Sequence, residues 1–377
     1  MKGRDLHHPA VRYMFEHHDF QPDSLTEILA QDNATLSTLT SLLQLVPDLF
    51  QTLSTAQNIT LLAPSNEAFT NLLSRNPRSA ELMTNPRALS GVLQYHVLSG
   101  KFLSTDFTTS PIFPSTLLSN PFANVTGGQK LQLTLLNETA SLFSGYKQAS
   151  SDLTFANSNN TLHIISSVLT VPAPLSQTLS NINLTSLVGA LTTARLSSGT
   201  SSLQDMTLFA PSNPAFQAIG SAASGLSDTD LANILGYHLV PSRILFSPRL
   251  LAQDQIVLAT LQGSNLTIRR DGNQLFVNSA RVILGDVLVG NGVVHVIDNV
   301  LNPSNTSATP DPAAATQAPA FAGVTPVADI PFTSGIVPTT TFVPVTVPLN
   351  GAGKGAFAAV PTGVMLAAGA AVLAAGM

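Results

Sequence analysis

Three short segments occur twice in this chain, in the same order. LLAPSNEAF (Leu61 to Phe69) returns as LFAPSNPAF (Leu208 to Phe216), LQYHVL (Leu93 to Leu98) as LGYHLV (Leu235 to Val240), and LHIISSVL (Leu162 to Leu169) as VHVIDNVL (Val294 to Leu301). Ordered recurrence of three elements means a duplicated domain, not chance likeness between short strings. Pro64 and Pro211 lie 147 positions apart, Tyr95 and Tyr237 142, and His163 and His295 132. The first copy therefore carries about 15 more residues between its landmarks, a difference that belongs in loops. A period this long gives each copy a core of its own, so the chain is a pair of domains and not a solenoid.

Composition says how such domains stay soluble. Charged residues make up 10% of the 377 and apolar residues 44%, where soluble domains carry roughly 25% charge. Ser, Thr and Asn must keep the surface wet. Eight Asn stand in N-x-S/T acceptors: Asn33, Asn58, Asn124, Asn137, Asn159, Asn183, Asn265 and Asn305. Together they fit a secreted glycoprotein whose sugars replace the missing ions. The net charge of −5, with no basic run, argues against nucleic acid as a partner. Zero Cys removes disulfides, thiolate catalysis and Cys-ligated zinc together, so each domain must be held by its core.

Within a unit the elements can be placed from local chemistry. Thr207 to Ala210 reads as a strand ended by Pro211, after which Ser212 caps a helix with Pro214 in its first turn. Ser65 repeats the cap in the first copy, with Glu67 in the first turn where the helix dipole favours it. A second helix precedes each Tyr-His pair, started by Asn85 and Pro86 in one copy and by Ser227 and Asp230 in the other. Leu231, Ile234 and Leu235 share one face of that helix, which sets Tyr-His at a helix-to-strand corner. Asp271-Gly272 and Asn291-Gly292 read as hairpin turns. Helices first and antiparallel strands afterwards give an α+β domain.

Placed in this way, the blocks resemble the fasciclin-like domain family, whose pattern runs T-L-F-A-P-[TS]-N-x-A-F, then Y-H, then V-H-V-I-D-x-V-L. Thr207 to Phe216, Tyr237-His238 and Val294 to Leu301 match almost letter for letter, and the first copy matches at Thr60 to Phe69 and Tyr95-His96. It departs in the last block, where Ser166 and Ser167 stand in place of Asp298 and Asn299; any functional claim on the position of Asp298 is weakened accordingly. The resemblance spans Ser24 to Pro303. It implies a wedge of two β-sheets with helices at one side, and a setting among extracellular adhesion proteins and lipid-anchored surface glycoproteins of fungi and plants. It also implies partner binding at the Tyr-His pairs and their apolar neighbours, by position Leu93, Tyr95, His96, Val97 and Leu98, and Tyr237, His238, Leu239 and Val240. The plainer reading is that these rings are buried at the corner and bond to backbone there.

Other candidates are weaker. His163 and His295 sit on apolar strands, where a lone His is more often a satisfied core residue than a ligand. His7-His8 and His17-His18, with Glu16 and Asp19, lie in a tail that fixes no metal geometry. No G-x-S-x-G, H-E-x-x-H or G-x-x-x-x-G-K-[ST] occurs, so neither an enzyme nor a cofactor is expected.

The ends complete the expected layout: an unstructured tail over 1–23, fasciclin domains over 24–172 and 175–303, a Thr/Pro-rich disordered stalk over 304–350, and an anchor signal over 351–377. The stretch from Pro303 to Pro348 intersperses Pro with Ser and Thr, a composition expected to stay extended and O-glycosylated. Small residues, a spacer and an apolar tail follow, the pattern of a glycosylphosphatidylinositol signal with attachment at Asn350 or Gly351. The segment MKGRDLHHPAVRYMFEHHDF has no apolar core of a leader, so a signal peptide is expected upstream of Met1. The expected function is adhesion or wall and matrix association outside the plasma membrane, with surface or matrix proteins or wall polysaccharide as partners and a lipid anchor as the membrane contact. The alternative is a module binding polysaccharide or lipid, or a membrane-associated vacuolar factor.

Overall fold

The computed structural model describes residues 25–336, apart from 77–78, 146 and 157–158. The tail over 1–23, the histidine pairs within it, and Asn350 and Gly351 lie outside the described residues, as does the anchor signal over 351–377. Both copies fold as α+β domains; most helices precede the antiparallel strands, but the first strand of each copy, Ile59–Pro64 or Met206–Pro211, lies between helices.

In the first domain β1 (Ile59–Pro64) lies between β2 (Val97–Ser99) and β6 (Thr161–Ile165), antiparallel to β2 and parallel to β6. The sheet continues through β5 (Lys147–Ala156) and β4 (Thr139–Ser144) to β3 (Gln132–Leu136). The second domain repeats the order with β8 (Leu239–Val240), β7 (Met206–Pro211), β13 (Gly292–Ile297), β12 (Ala280–Val289), β11 (Gln274–Val277), β10 (Asn265–Asp271) and an added β9 (Gln255–Ala259). Again only the β7–β13 pair is parallel among those pairings.

The wedge comes from the long strand in the middle. Lys147 to Ser150 of β5 pair with β4, and Ser151 to Ala156 with β6, with a register shift between Ser151 and Leu153. In β12, Ala280 and Arg281 pair with β11 and the remainder with β13, across shifts at Val282/Leu284 and Leu284/Val287. An extra residue bends and twists a strand. One ladder therefore folds into two faces. Each domain accordingly has two apolar clusters, one between the helices and the β1–β6 or β7–β13 pair, the other inside the strand-rich end.

Local signals explain the helix starts. Ser65 accepts from the Ala68 amide at 3.1 Å and Ser212 from Ala215 at 3.3 Å; Asn85 accepts from Arg87 and Ala88, and Ser227 from Asp230. The two expected hairpins form, each one residue away from the dipeptide that signals it. Asp271 pairs with Gln274 and Val289 with Gly292, so the turn residues are Gly272-Asn273 and Gly290-Asn291.

The expected stalk divides. Residues 303–336 lie along the helical face of the second domain, with Phe321, Val324 and Phe332 packed on its core. Arg281 donates to the carbonyls of Pro312, Ala314 and Ala315, Asn299 to Ala318, Asn302 to Ala320, Gln217 to Ala328 and Ser186 to Pro331. Composition predicts no core for this segment, but it borrows one. Its scattered aromatic and branched residues fill a neighbour's surface while side chains of that neighbour satisfy its carbonyls. Residues 337–350, the rest of the expected stalk, lie outside the described residues.

The domains also touch. Phe113 stacks on Phe246 with ring centroids 3.8 Å apart and planes within 2° of parallel. Buried Gln129 donates to the Val289 carbonyl at 3.0 Å, and the Gly290 amide to Ala173 at 2.9 Å.

Candidate functional site

The Tyr-His corners are the strongest candidates in the sequence, and the structure builds them identically in both copies. The helix Pro86–Tyr95 ends with His96 as its C-cap, and Asp228–Tyr237 with His238. The Nδ1 of His96 donates to the Val92 carbonyl at 2.8 Å and its Nε2 accepts from the Leu169 amide at 2.9 Å. His238 does the same with Ile234 at 2.7 Å and Leu301 at 2.9 Å. An imidazole that accepts through one nitrogen and donates through the other is neutral. Burial lowers both pKa values to about 4, against a smaller upward pull from the helix carbonyl.

Each imidazole thus ties the end of a helix to the segment leaving the last strand. The tyrosines reach the other way. Tyr95 donates to the Lys130 carbonyl at 3.1 Å; Tyr237 donates to Asn265 at 2.8 Å and accepts from Asn278 at 2.8 Å. Desolvation raises both phenol pKa values, and for Tyr237 the Asn278 amide offsets part of the rise.

None of Leu93, Tyr95, His96, Val97, Leu98, Tyr237, His238, Leu239 and Val240 is more than 3% exposed. The expectation that these side chains meet a partner is corrected to that extent: in the folded domain they present no surface to one. The reason is geometric. Each corner lies between the two cores of its domain: Leu93 and Val97, or Leu235 and Leu239, enter the helix-side cluster, and Tyr95 and Leu98, or Tyr237 and Val240, the strand-side one, because successive strand residues face opposite ways.

The remaining motif letters are fasteners as well. Thr60 and Thr207 donate to the carbonyls of Gly100 and Arg243 and accept from the amides of Phe102 and Leu245. Asn66 and Asn213, the Asn of each APSN, accept from the amides of Thr38 and Ser186 and donate to the preceding helix segment. His163 and His295 bond through Nε2 to the carbonyls of Phe102 and Leu245, each at 2.8 Å. Burial lowers both of their pKa values.

The unequal last blocks also find an explanation. Asp298 accepts the Arg281 amide at 2.7 Å, and Ser166 accepts the Ser150 amide at 3.1 Å at the matching place. Serine serves the first domain for this bond. In the second, Arg281 and Asn299 additionally hold the C-terminal segment, which the first domain does not carry.

One constellation was not visible in the sequence. Asp286, at φ 61° on the β12 bulge, accepts from the Ser247 amide at 2.8 Å and from the Ser247 hydroxyl, and its own amide donates to Nδ1 of His295 at 3.3 Å. Burial raises the Asp286 carboxyl. Ser, His and Asp meet here, but the hydroxyl is committed to the carboxylate and not to the imidazole, and the three side chains are buried. The arrangement caps the short helix Ser247–Leu251 from outside. Among the described residues no group of three or more His, Asp and Glu is arranged to hold a metal ion, and no helix is long and apolar enough to cross a membrane.

Two copies of one α+β wedge, each closed by the same set of buried polar ties, define a tandem module whose signature residues are structural. The sequence profile of the Fasciclin domain matches residues 34–172 and 182–303, and the chain belongs to that family. It is 36% identical to a fasciclin-like arabinogalactan protein of Arthroderma benhamiae over 313 residues, 82% of this chain and 74% of that protein. The fasciclin-like arabinogalactan protein elcF of Phaeosphaeria nodorum is 28% identical over 74% of this chain and 88% of its own. A solved FAS1 domain pair from the insect cell adhesion molecule Fasciclin I is 19% identical, with a TM-score of 0.36 over 71% of this chain and 98% of that one.

Proposed function

We propose that the chain is a non-enzymatic surface glycoprotein that serves adhesion or wall association through its two fasciclin domains, held at the outer face of the plasma membrane by a lipid anchor. The observation that carries this reading is the division of its polar groups. The Tyr, His and Thr side chains and the APSN asparagines of the repeated blocks are committed to internal bonds, whereas seven of the eight acceptor Asn are exposed. What the molecule offers outward is carbohydrate and surface shape. Kinship to fungal fasciclin-like arabinogalactan proteins supports the same class. The Ser247–Asp286–His295 group supports a non-catalytic role, since all three side chains are buried and the Ser247 hydroxyl bonds to Asp286 and not to the imidazole.

The test uses the protein at its source. Phosphatidylinositol-specific phospholipase should release it from intact cells, and deletion should lower adhesion to a surface or to neighbouring cells. Retention after the enzyme removes the anchor; unchanged adhesion removes the role.

A further inference from the structure

Seven acceptor Asn are exposed, and Asn124 is half-buried. Its place is the domain interface. The Nδ2 of Asn124, the atom that takes the sugar, donates to the carbonyls of Ser202 and Leu203, each at 3.2 Å. Its backbone amide donates to Gly290 at 2.8 Å. Thr126, the hydroxyl residue of the same acceptor, gives its amide to Asp205 Oδ1 at 2.8 Å and its hydroxyl to Oδ2. Every one of these acceptors belongs to the second domain. That side is itself held in shape, because Asn291 donates through Nδ2 to Thr200 and Leu203, both at 2.9 Å, and Asp205 sits at φ 56°. Exposed Asn305 also donates through Nδ2, to Ala320, but within its own domain.

An N-linked sugar replaces one hydrogen of Nδ2 by a ring carbon. A sugar ring cannot occupy the space between Nδ2 and two carbonyl oxygens at 3.2 Å, and the Thr126 hydroxyl that the transfer reaction needs is bound to a carboxylate. The order of synthesis adds a second constraint. Residues 124–126 enter the secretory lumen before residues 200–205 and 290, so the acceptor is open until the second domain folds and closes over it.

We propose that Asn124 is a glycan-controlled latch: unmodified, it locks the two domains together, and glycosylated, it holds them apart. Occupancy at this one acceptor then sets whether the pair is rigid or jointed, and the choice is made once, during synthesis. The proposal rests on the secretory reading above, but its test does not.

The full chain is secreted from a yeast host behind a supplied leader, as wild type and as Asp205→Ala, which leaves Asn124 and Thr126 intact. Glycopeptide mass spectrometry reads occupancy at each acceptor, and small-angle scattering of the sorted glycoforms is compared with unglycosylated protein made in bacteria. Asn124-occupied molecules should show a larger radius of gyration than molecules bare at Asn124, whatever the other sites carry. Where wild-type occupancy at Asn124 is partial or nil, Asp205→Ala should raise it severalfold with the other seven sites unchanged. An Asn124-occupied fraction as compact as molecules bare at Asn124 and otherwise equally glycosylated overturns the proposal, and so does occupancy that Asp205→Ala leaves unmoved while the wild type is incompletely modified. Because the leader is supplied, a failure here is separate from a failure of native secretion, which glycan mass on protein from the source decides.

Discussion

At the residue scale, the letters that make this sequence recognisable are those that join one backbone segment to another. His238 illustrates the energetics. Replacing it by Leu nearly conserves volume but strands the Leu301 amide and the bond to Ile234, and unsatisfied buried groups cost 1–3 kcal/mol each. We expect His238→Leu to lower the unfolding free energy by about 2–4 kcal/mol, read as a shift in urea midpoint at constant m-value. Acid should act on the same groups. His96 and His238 titrate at about 4 when folded and near 6.5 when unfolded, so the unfolded chain binds more protons between those values. Stability should be full above pH 6.5 and should fall as pH drops towards 4, by about 3 kcal/mol for each histidine. His163 and His295 shift in the same direction; the raised Asp286 and Asp298 carboxyls act in the opposite one. Urea midpoints measured from pH 7.5 to 4 check the slope, and a flat profile would show that the imidazoles are not held neutral.

At the element scale, the two copies differ by the segment that covers one of them. A Cβ on Gly189 would lie 1.7 Å from the Phe332 carbonyl oxygen, and one on Gly220 2.0 Å from a Val327 methyl. The matching positions in the first copy hold Ser41 and Leu73, both exposed, and no segment among the described residues crosses them. The second domain thus has glycine where the covering segment passes. Gly189→Val and Gly220→Leu should displace residues 318–333, seen as faster hydrogen exchange and proteolysis there, while the second domain stays folded; unchanged protection would show that the contact is not tight. The helix caps and hairpins were legible because their chemistry lies within four residues. The packing of 303–336 was not, since it depends on carbonyl capture by Arg281, Asn299 and Gln217, far away in the sequence.

At the scale of the whole molecule, two domains of one pattern form a single body through contacts outside the repeated blocks. Phe113 and Phe246 stack across the interface, and such a pair contributes about 1 kcal/mol beyond its buried area. Phe246→Ala should widen the distribution of domain separations in small-angle scattering and leave the unfolding midpoint of each domain close to wild type. An unchanged scattering curve would assign the docking to the polar contacts around Gln129 and Asn124 alone.

The sequence by itself determined the duplication, the α+β class, the order of elements within each copy and the family, because those depend on short motifs, caps, turns and spacing. Only the tertiary structure decided where the polar residues point. A Tyr-His pair reads the same whether it faces a partner or a core, and an N-x-T reads the same on a surface or between domains. Burial and many of the hydrogen-bond partners are set by chain segments up to 160 residues apart, a range over which local pattern carries no information.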